Sequence, residues 1–594
     1  MKTHLFLALL AAALLPLHAA TPPEKLLPAE TLAFVTVPDM NKARAQWKND
    51  PMAQLWGDPA MKPFADKFEA GFRANVLAAV EKELGTKIEE YTDLAQGQLT
   101  LALLSPAGVF DPHGALIVDT GDKAAALTKK LGEVKAKLIE QAKPHKIQTV
   151  GGAEFISLPQ KGKGGKSSES FIGQSGSLLL IGDHLPTLEK IIARQSPNAP
   201  PGVAANLRFA ARQDAQFRDA LLYGWVDCEP MVKALMDMLG KNLPKPSPEN
   251  PMAMQPALIA HALGLNGLKS MAFSMQTSPE GTLAEVYLDV PAAGRRGLFN
   301  LVATENADST PPAFVGANVT SFGRWRQNLP RLWNNMIGMA NEISPMAGAM
   351  VTFLEASIRE KQPNFNLQAQ LIANLGDDVL VVEQTPRGGK KIEDLLASNA
   401  IFLVGSAKPE VLSQAMRSVA SISGQAPQTR DLDGRTIYSF GLGAAGNEDS
   451  GPKAMSGIHL AAAAGYVAIA TDVASLEAYL RGPKENGKSL KDLPGLAAAA
   501  QKVGGMNTGF FGYENYRETM RGLWETMQKN PKMFTDFAPM STMGISFPDW
   551  INLGAMPPFE KVEQYFHFWV YGMKTTPEGM QIRYFSPAPP ALKK

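Results

Sequence analysis

Residues 99–104 read LTLALL, and residues 379–384 read VLVVEQ, 280 positions further along the chain. In the first segment Leu99, Leu101 and Leu103 fall on one side of an extended chain, the period of two that predicts a β-strand. The match belongs to a series that keeps its order to the C-terminus, which predicts an internal duplication. The alternative is two unrelated α+β domains with a similar order of elements.

The other members of this series lie at offsets between 280 and 298 and keep apolar positions apolar. Proline followed by glycine in the last pair predicts two hairpin turns with positive φ at Gly281 and Gly579. The matched pairs are Ala33–Val35 with Ala313–Val315, Leu127 with Leu412, Phe155–Leu158 with Ile437–Phe440, Leu188 with Leu476, Gly224 with Gly512, and TSPEG at 277–281 with TTPEG at 575–579.

The length of 594 residues favours at least two cores, because a single core rarely grows beyond about 250–300 residues. Helices interspersed with adjacent strands indicate an α+β fold of two tandem homologous lobes, each a largely antiparallel sheet with helices packed on one face. The predicted organisation is a signal peptide at 1–19, a first α+β repeat at 27–292, a linker at 293–312, a second α+β repeat at 313–589 and a flexible tail at 590–594.

The N-terminus has the features of an export signal. Lys2 precedes the apolar run 5–17, and Ala19 and Ala20 follow at a plausible cleavage point. The run is short for a bilayer span, so an uncleaved anchor is the lesser alternative. We therefore expect a periplasmic or secreted protein with no transmembrane anchor in its mature chain. A single cysteine, Cys228, excludes an intramolecular disulfide.

Charge and motifs argue against nucleic acid and nucleotide as partners. The 58 basic residues are balanced by 57 acidic ones, so no excess of positive charge is available for a nucleic acid. The segment GPKENGKS at 482–489 satisfies the phosphate-loop pattern, but helical sequence precedes it where the motif requires a strand. We therefore expect no nucleotide site there.

Signals for metals, cofactors and catalysis are equally weak. The six histidines beyond the signal do not show the i, i+4 spacing of a helical zinc pair. The segment GQSGS at 173–177 differs from the hydrolase nucleophile elbow in the position of its last glycine. No metal, no cofactor and no catalytic residue is predicted. A catalytic triad whose residues lie far apart along the chain would leave no local motif, so the sequence leaves that arrangement open.

Methionine is abundant, with 26 residues, many of them grouped at helical spacing. Such groups are typical of core faces, and they also form adaptable apolar grooves or, more rarely, Cu(I) sites. The groups are Met231, Met236 and Met238; Met336, Met339, Met346 and Met350; and Met520 with Met527.

The segment LLPAETLAFVTVPDMNKARAQW at 26–47 resembles the opening of a family of exported bacterial proteins of unknown function. Those proteins begin with an "LPAETLAFVTVPD"-like strand followed by a helix that contains tryptophan. The resemblance implies an envelope location and a repeated α+β architecture. It implies no catalytic residue.

These observations favour an exported, non-catalytic envelope protein that binds a protein partner or an apolar ligand between its duplicated lobes. The alternative is an extracytoplasmic hydrolase with a dispersed site. Glycines within strands allow close backbone approach by a ligand or a neighbouring element. The predicted ligand-binding residues are therefore two such glycines and their aromatic neighbours: Tyr223, Gly224, Trp225, Phe511, Gly512 and Tyr513. The competing interpretation is that these residues belong to the core.

Overall fold

The fold was described from a computed structural model. The part of the chain that it describes comprises residues 21–78, 81, 92–106, 108–161, 167–242, 255–344, 346–383, 400–423, 427–441, 457–482, 488–529 and 550–593. The predicted signal peptide and most of the 482–489 segment lie outside these residues.

Helices and antiparallel strands alternate along the described chain, which confirms the α+β class. The helices are α1 Pro23–Leu26, α2 Met40–Trp47, α3 Pro51–Trp56, α4 Lys62–Phe72, α5 Ala124–Glu140, α6 Leu185–Ala193, α7 Leu207–Arg212, α8 Cys228–Asn242, α9 Pro256–Leu263, α10 Gly297–Val302, α11 Leu329–Ile343, α12 Met346–Lys361, α13 Pro409–Ala420, α14 Val473–Arg481, α15 Leu496–Lys502 and α16 Tyr516–Lys529.

Twenty strands accompany these helices in the described residues. They are β1 Thr31–Val37, β2 Leu99–Leu104, β3 His113–Asp119, β4 Lys146–Val150, β5 Ala153–Lys161, β6 Ser167–Ser175, β7 Leu178–Gly182, β8 Leu222–Asp227, β9 Ser270–Ser278, β10 Gly281–Asp289, β11 Ser321–Arg326, β12 Asp378–Glu383, β13 Ile401–Gly405, β14 Gln428–Leu432, β15 Arg435–Phe440, β16 Ile458–Ala463, β17 Tyr466–Ala470, β18 Phe510–Glu514, β19 Trp569–Thr575 and β20 Met580–Pro587.

The chain divides into two compact units. The first comprises Met1–Gln46 and Leu77–Asp227, and the second comprises Trp47–Val76 and Cys228–Lys594. In the first unit the strands pair antiparallel in the order β4-β5-β6-β7-β3-β2-β1-β8. In the second, β14-β15-β16-β17-β13-β12-β11-β18 repeats that order and continues through β19, β20, β10 and β9.

The registers of these pairings agree with most of the sequence matches. Val35 of β1 lies opposite Leu101 and Gly224, while Gly323 of β11 lies opposite Val381 and Gly512. The offsets of 280 for β2 and 288 for β8 therefore hold between the two units. This regularity supports a duplication, whereas the division into two lobes and its predicted boundaries stay predictions.

The match of Ala33–Val35 with Ala313–Val315 is wrong. Phe34 precedes Val35, which lies opposite Gly224, and Phe322 precedes Gly323, which lies opposite Gly512. By register, Phe34 therefore corresponds to Phe322, at an offset of 288. The segment at 313–315 is a turn before β11 rather than a strand. Short apolar runs resemble one another in sequence, so the hydrogen-bonded register is needed to identify which strand residues are equivalent.

The predicted turn at 277–281 and its copy both connect hairpin strands with equivalent registers. Thr277 lies opposite Thr282, and Thr575 lies opposite Met580, each at the offset of 298. Gly281 has φ +147°, as predicted for the first turn. Gly579 does not have a positive φ, so that part of the prediction is wrong. A Cβ at Gly579 would instead lie 2.4 Å from the Leu288 carbonyl oxygen, which explains the glycine by close packing.

Helices cover both faces of the second unit's sheet, which corrects the prediction of one covered face. On β13, Leu403 packs in a cluster with Leu476 of α14, and Val404 packs in another with Leu412 of α13. Successive strand residues point to opposite faces, so α13 and α14 lie on opposite sides. Residues 401–404 form a continuous apolar run, the pattern typical of a strand with helices on both faces.

Helices from early in the chain pack against its C-terminal segment inside the second unit. Leu55 of α3 and Phe64 of α4 share a buried cluster with Trp524 of α16 and with Phe559 and Phe566. The Tyr565 hydroxyl donates a hydrogen bond of 2.6 Å to Asp58 Oδ2, next to this cluster. Residues near both ends of the sequence therefore share one core.

The half-buried imidazole of His567 should make the stability of this unit dependent on pH. Burial, with Arg517 and Lys593 nearby, lowers the pKa of His567 to about 4. In an unfolded chain this pKa is about 6.5, so between pH 6.5 and 4 the unfolded state binds more protons and the free energy of unfolding falls as pH is lowered. We expect a loss of about 1–2 kcal/mol, because partial solvent exposure reduces the full effect.

Chemical denaturation at pH 7 and pH 4 measures this loss. The His567→Gln variant removes the titrating group and should show a smaller difference between the two pH values. An unchanged difference in that variant would assign the pH dependence to other groups.

Candidate functional site

The first three predicted ligand-binding residues, Tyr223, Gly224 and Trp225, are buried in β8. The Tyr223 hydroxyl donates a hydrogen bond of 2.7 Å to Glu24 Oε2, and burial followed by the Glu24 charge raises the pKa of Tyr223. The Trp225 ring meets Phe209 edge-on, with centroids 6.1 Å apart. These side chains are parts of a core, and their contact with a ligand stays a prediction.

The second three, Phe511, Gly512 and Tyr513, are buried in β18. A Cβ built on Gly512 would lie 2.1 Å from Cζ of Tyr571, its partner on β19, so the tyrosine ring lies directly on the glycine. The close approach that a strand glycine permits is thus taken by a neighbouring side chain. The interpretation of these residues as core has the stronger support.

The phosphate-loop pattern at 482–489 lies in the wrong context. It follows helix α14, whereas the mechanism requires a strand before the loop and a helix after it. Residues 483–487 lie outside the described residues. Within the described ranges, His, Cys, Asp and Glu side chains do not form groups of three that could hold a metal ion.

One serine–histidine pair bears on the hydrolase alternative. Ser439 of β15 lies opposite His459 of β16, with 2.8 Å between Ser439 Oγ and His459 Nδ1. Burial lowers the pKa of His459, while the nearby Asp472 charge opposes that change. The Asp472 carboxylate, however, accepts backbone hydrogen bonds from Ala474 and Ser475 and caps α14. The pair has a base beside a hydroxyl, but the carboxylate that would orient the base serves a structural role.

The exposed apolar surface of α12 is a more extensive feature. Met346, Met350 and Phe353 are 54%, 69% and 75% exposed, and their i, i+4, i+7 spacing places them on one face of the helix. Val351, Leu354 and Ile358, about 100° further around the helix, pack into a buried cluster. The first turns of α12 therefore have exposed apolar side chains beside the buried face, whereas the exposed part of a surface helix is normally polar.

Neighbouring helices in the second unit also have exposed apolar side chains. Helix α8 packs against α9, α9 against α11, and α11 against α12. Met231, Leu235 and Met238 of α8 are exposed at the same i, i+4, i+7 spacing, and Leu258 of α9 and Met336 of α11 are exposed as well. We call helices α8, α9, α11 and α12 the apolar layer.

The apolar layer contains a groove of about 370 Å³ beside α8. It is lined by apolar side chains and by an equal number of polar or charged ones: Val232, Met236, Ala257, Leu265 and Leu268, and Glu229, Lys233, Asp237, Asn266 and Lys269. Lys269 Nζ and Glu229 Oε1 form an ion pair of 2.8 Å within this lining. An apolar lining with polar groups that orient a ligand is typical of small-molecule sites.

The methionine groups of the sequence thus have different environments. Met520 and Met527 pack against the buried cluster around Trp524, so that group belongs to a core. Met231, Met238, Met336, Met346 and Met350 are exposed. Helical spacing is the same in both cases, and only the packing partner distinguishes a core face from a binding face.

Among the described residues, each helix is too short or too polar to cross a membrane. No protein-family model matches the chain, and no curated protein matches it. Solved structures of TP0453 in crystal forms I, III and IV resemble part of it, at 10% identity, with coverage of 46% of this chain and 80–83% of the TP0453 chains. Their TM-scores of 0.20–0.21 are too low for an inference about fold or function.

Proposed function

We propose that this chain is an exported, non-catalytic protein of the cell envelope, periplasmic or secreted, which binds an apolar partner through its apolar layer. The observation that carries the proposal is the exposed stripe Met346, Met350 and Phe353 on α12. Contiguous exposed apolar surface on a soluble protein marks an interaction site, because leaving it in water is unfavourable. Met is suited to this role, since its flexible thioether adapts to partners of different shape.

The proposed site differs from the one expected between duplicated lobes. Trp225, Phe511 and Tyr513 are buried, so a ligand would have to displace core packing to reach them. Tyr223 is also buried, but it lines a pocket of about 240 Å³ together with Glu24 and Gln213. The stripe on α12 is open to solvent without any rearrangement. Because of this difference in access, we place the proposed binding site on α12 rather than between the duplicated lobes.

The hydrolase alternative rests on Ser439 and His459. If it is correct, the Ser439→Ala variant should lose turnover of ester, glycoside or peptide substrates. We expect instead that the wild-type chain shows no turnover that depends on Ser439.

The proposed function predicts that charge on the stripe abolishes binding. The protein is isolated from its own envelope, and native mass spectrometry measures the mass retained on the chain. The double variant Met350→Glu/Phe353→Glu should lose a retained lipid-sized mass or partner by at least about tenfold, because each buried apolar side chain contributes about 1.5–3 kcal/mol.

The matched control is Leu207→Glu, which changes an isolated leucine that is 86% exposed. It should retain the same mass as the wild-type chain. Equal retention by the double variant, or a bare wild-type chain with Ser439-dependent turnover, would refute the proposal.

A further inference from the structure

The two helices α11 and α12 pack against each other as a helical hairpin, named here by its residues 329–361, whose middle part is nearly free of charge. Between Leu332 and Leu354 the sequence contains a single charged residue, Glu342. The side chains exposed along this run are methionine, phenylalanine, alanine, glycine and uncharged polar residues apart from that glutamate. A stretch of this length with a single charge is unusual on a protein surface.

The single charge is paired with a neighbouring helix. Glu342 accepts from His261 Nδ1 of α9, and the Arg296 guanidinium donates to His261 Nε2 at 3.1 Å. Because Nε2 accepts the arginine proton, the ring carries its own proton on Nδ1, directed at the carboxylate. The contact joins α9 to the end of the hairpin where α11 ends and α12 begins, and the exposed stripe of α12 itself carries no charge.

The same position in the first half of the sequence provides an internal comparison. Helix α4 also follows the first strand of its half and precedes the second, and its outward residues include Lys62, Asp66, Lys67 and Glu69. Lys62 and Asp66 form an ion pair of 2.8 Å on that surface. A helix in this place can therefore have an ordinary charged exterior, and the exterior of α12 is a specific property of the second half.

Polarity on α12 changes along the helix axis as well as around it. The apolar exposed residues run from Met346 to Phe353, about 10 Å at 1.5 Å per residue. The following turns carry both signs of charge in Glu355, Arg359, Glu360 and Lys361. The exposed apolar part of α12 is thus about 10 Å long and is followed by a zone of mixed charge.

We propose that the partner of this site is the surface of a lipid bilayer, on which the exposed stripe of α12 lies; this inference rests on the proposed function. Interfacial helices lie in the plane of the membrane and bury one apolar face about 5–10 Å into the boundary between headgroups and acyl chains, and the stripe provides such a face. The mixed charges that follow are complementary to zwitterionic headgroups, which carry a phosphate and an ammonium group. A protein partner would instead be met by a polar rim around the apolar centre.

The test uses a fluorescent label that reports a lipid environment. Phe353→Cys in a Cys228→Ser background is labelled with an environment-sensitive dye and mixed with phosphatidylcholine vesicles. We expect a blue shift and quenching by a lipid-borne quencher. The matched control carries the dye at Phe72→Cys on α4, in the same background, and should show neither change. Thermal unfolding of both labelled chains checks that they are folded.

Lipid composition and salt separate insertion from electrostatic adsorption. We expect binding to pure phosphatidylcholine and to vesicles with added phosphatidylglycerol to agree within about threefold, with little effect of salt, because the stripe on α12 carries no charge. A strict requirement for anionic lipid, an equal response at positions 72 and 353, or no response at 353 would each overturn the inference.

The failure of this inference is distinguishable from failure of the proposed function. If the wild-type chain ignores vesicles while Met350→Glu/Phe353→Glu still removes a retained protein or small ligand, the partner is not a bilayer and the binding function stands. If the stripe variants change neither measurement, both proposals fail.

Discussion

Replacing Asp378 with alanine is expected to lower the free energy of unfolding by about 3–5 kcal/mol, because among the described residues the buried Arg324 then keeps only the exposed carboxylate of Asp308, 3.8 Å away, as a charged partner. Asp378 accepts two hydrogen bonds from Arg324, of 2.9 and 2.7 Å, and a third of 2.8 Å from the Tyr466 hydroxyl. The side chains of Arg324 and Asp378 are each 11% exposed. Although burial opposes the charged form of Arg324, its contacts with Asp378 leave its pKa raised. Denaturant unfolding measures the loss.

The neighbouring residue Asp377 is a matched control. Its carboxylate pairs with Arg326 at 2.7 Å, but its side chain is 63% exposed. Exposed ion pairs contribute about 0–1 kcal/mol, so Asp377→Ala should cost little. The double variant Arg324→Met/Asp378→Ala removes both buried charges and should be more stable than Asp378→Ala alone. If the double variant is the less stable, the cost does not come from an unpaired arginine.

The first half of the chain places a neutral network at the equivalent position, which shows what the sequence can and cannot predict. By register, Thr36 corresponds to Arg324 and Gln98 to Asp378. Thr36 and Thr100 share a hydrogen bond of 2.7 Å, and Thr100 donates to Gln98 at 2.8 Å. The matched strands were predictable from apolar alternation. The chemistry of these polar positions was not, because the apolar pattern carries no information about it.

Prediction of the site was limited for a related physical reason. Periodicity correctly predicted strand β2 and the helical spacing of the methionines, since both follow from local geometry. Whether Met350 faces a core or solvent depends on the neighbouring helices, which sequence spacing does not specify. The low charge of 332–354 was a usable signal, visible only when this segment is compared with the charged helix α4.

The Gly512→Ala variant is expected to lose about 2–3 kcal/mol of unfolding free energy, the usual cost of overpacking a core. Gly512 lies between Gly323 on one neighbouring strand and Tyr571 on the other. The Tyr571 ring contacts Phe510 and Tyr584 as well, at centroid distances of 5.6 and 5.9 Å. An added methyl group would therefore displace a ring that is held from both sides. Chemical denaturation measures the effect.

Gly323→Ala is the control for this prediction, because a Cβ there would meet only the Tyr571 hydroxyl, at 3.9 Å. That variant should be neutral or slightly stabilising, since alanine restricts the unfolded chain more than glycine does. The pair also tests the predicted role of Gly512 in ligand contact. If its function is structural, Gly512→Ala should weaken folding while the folded fraction retains the mass bound by the wild-type chain. Loss of that mass at unchanged stability would instead return Gly512 to the binding site, with Phe511 and Tyr513 as its neighbours.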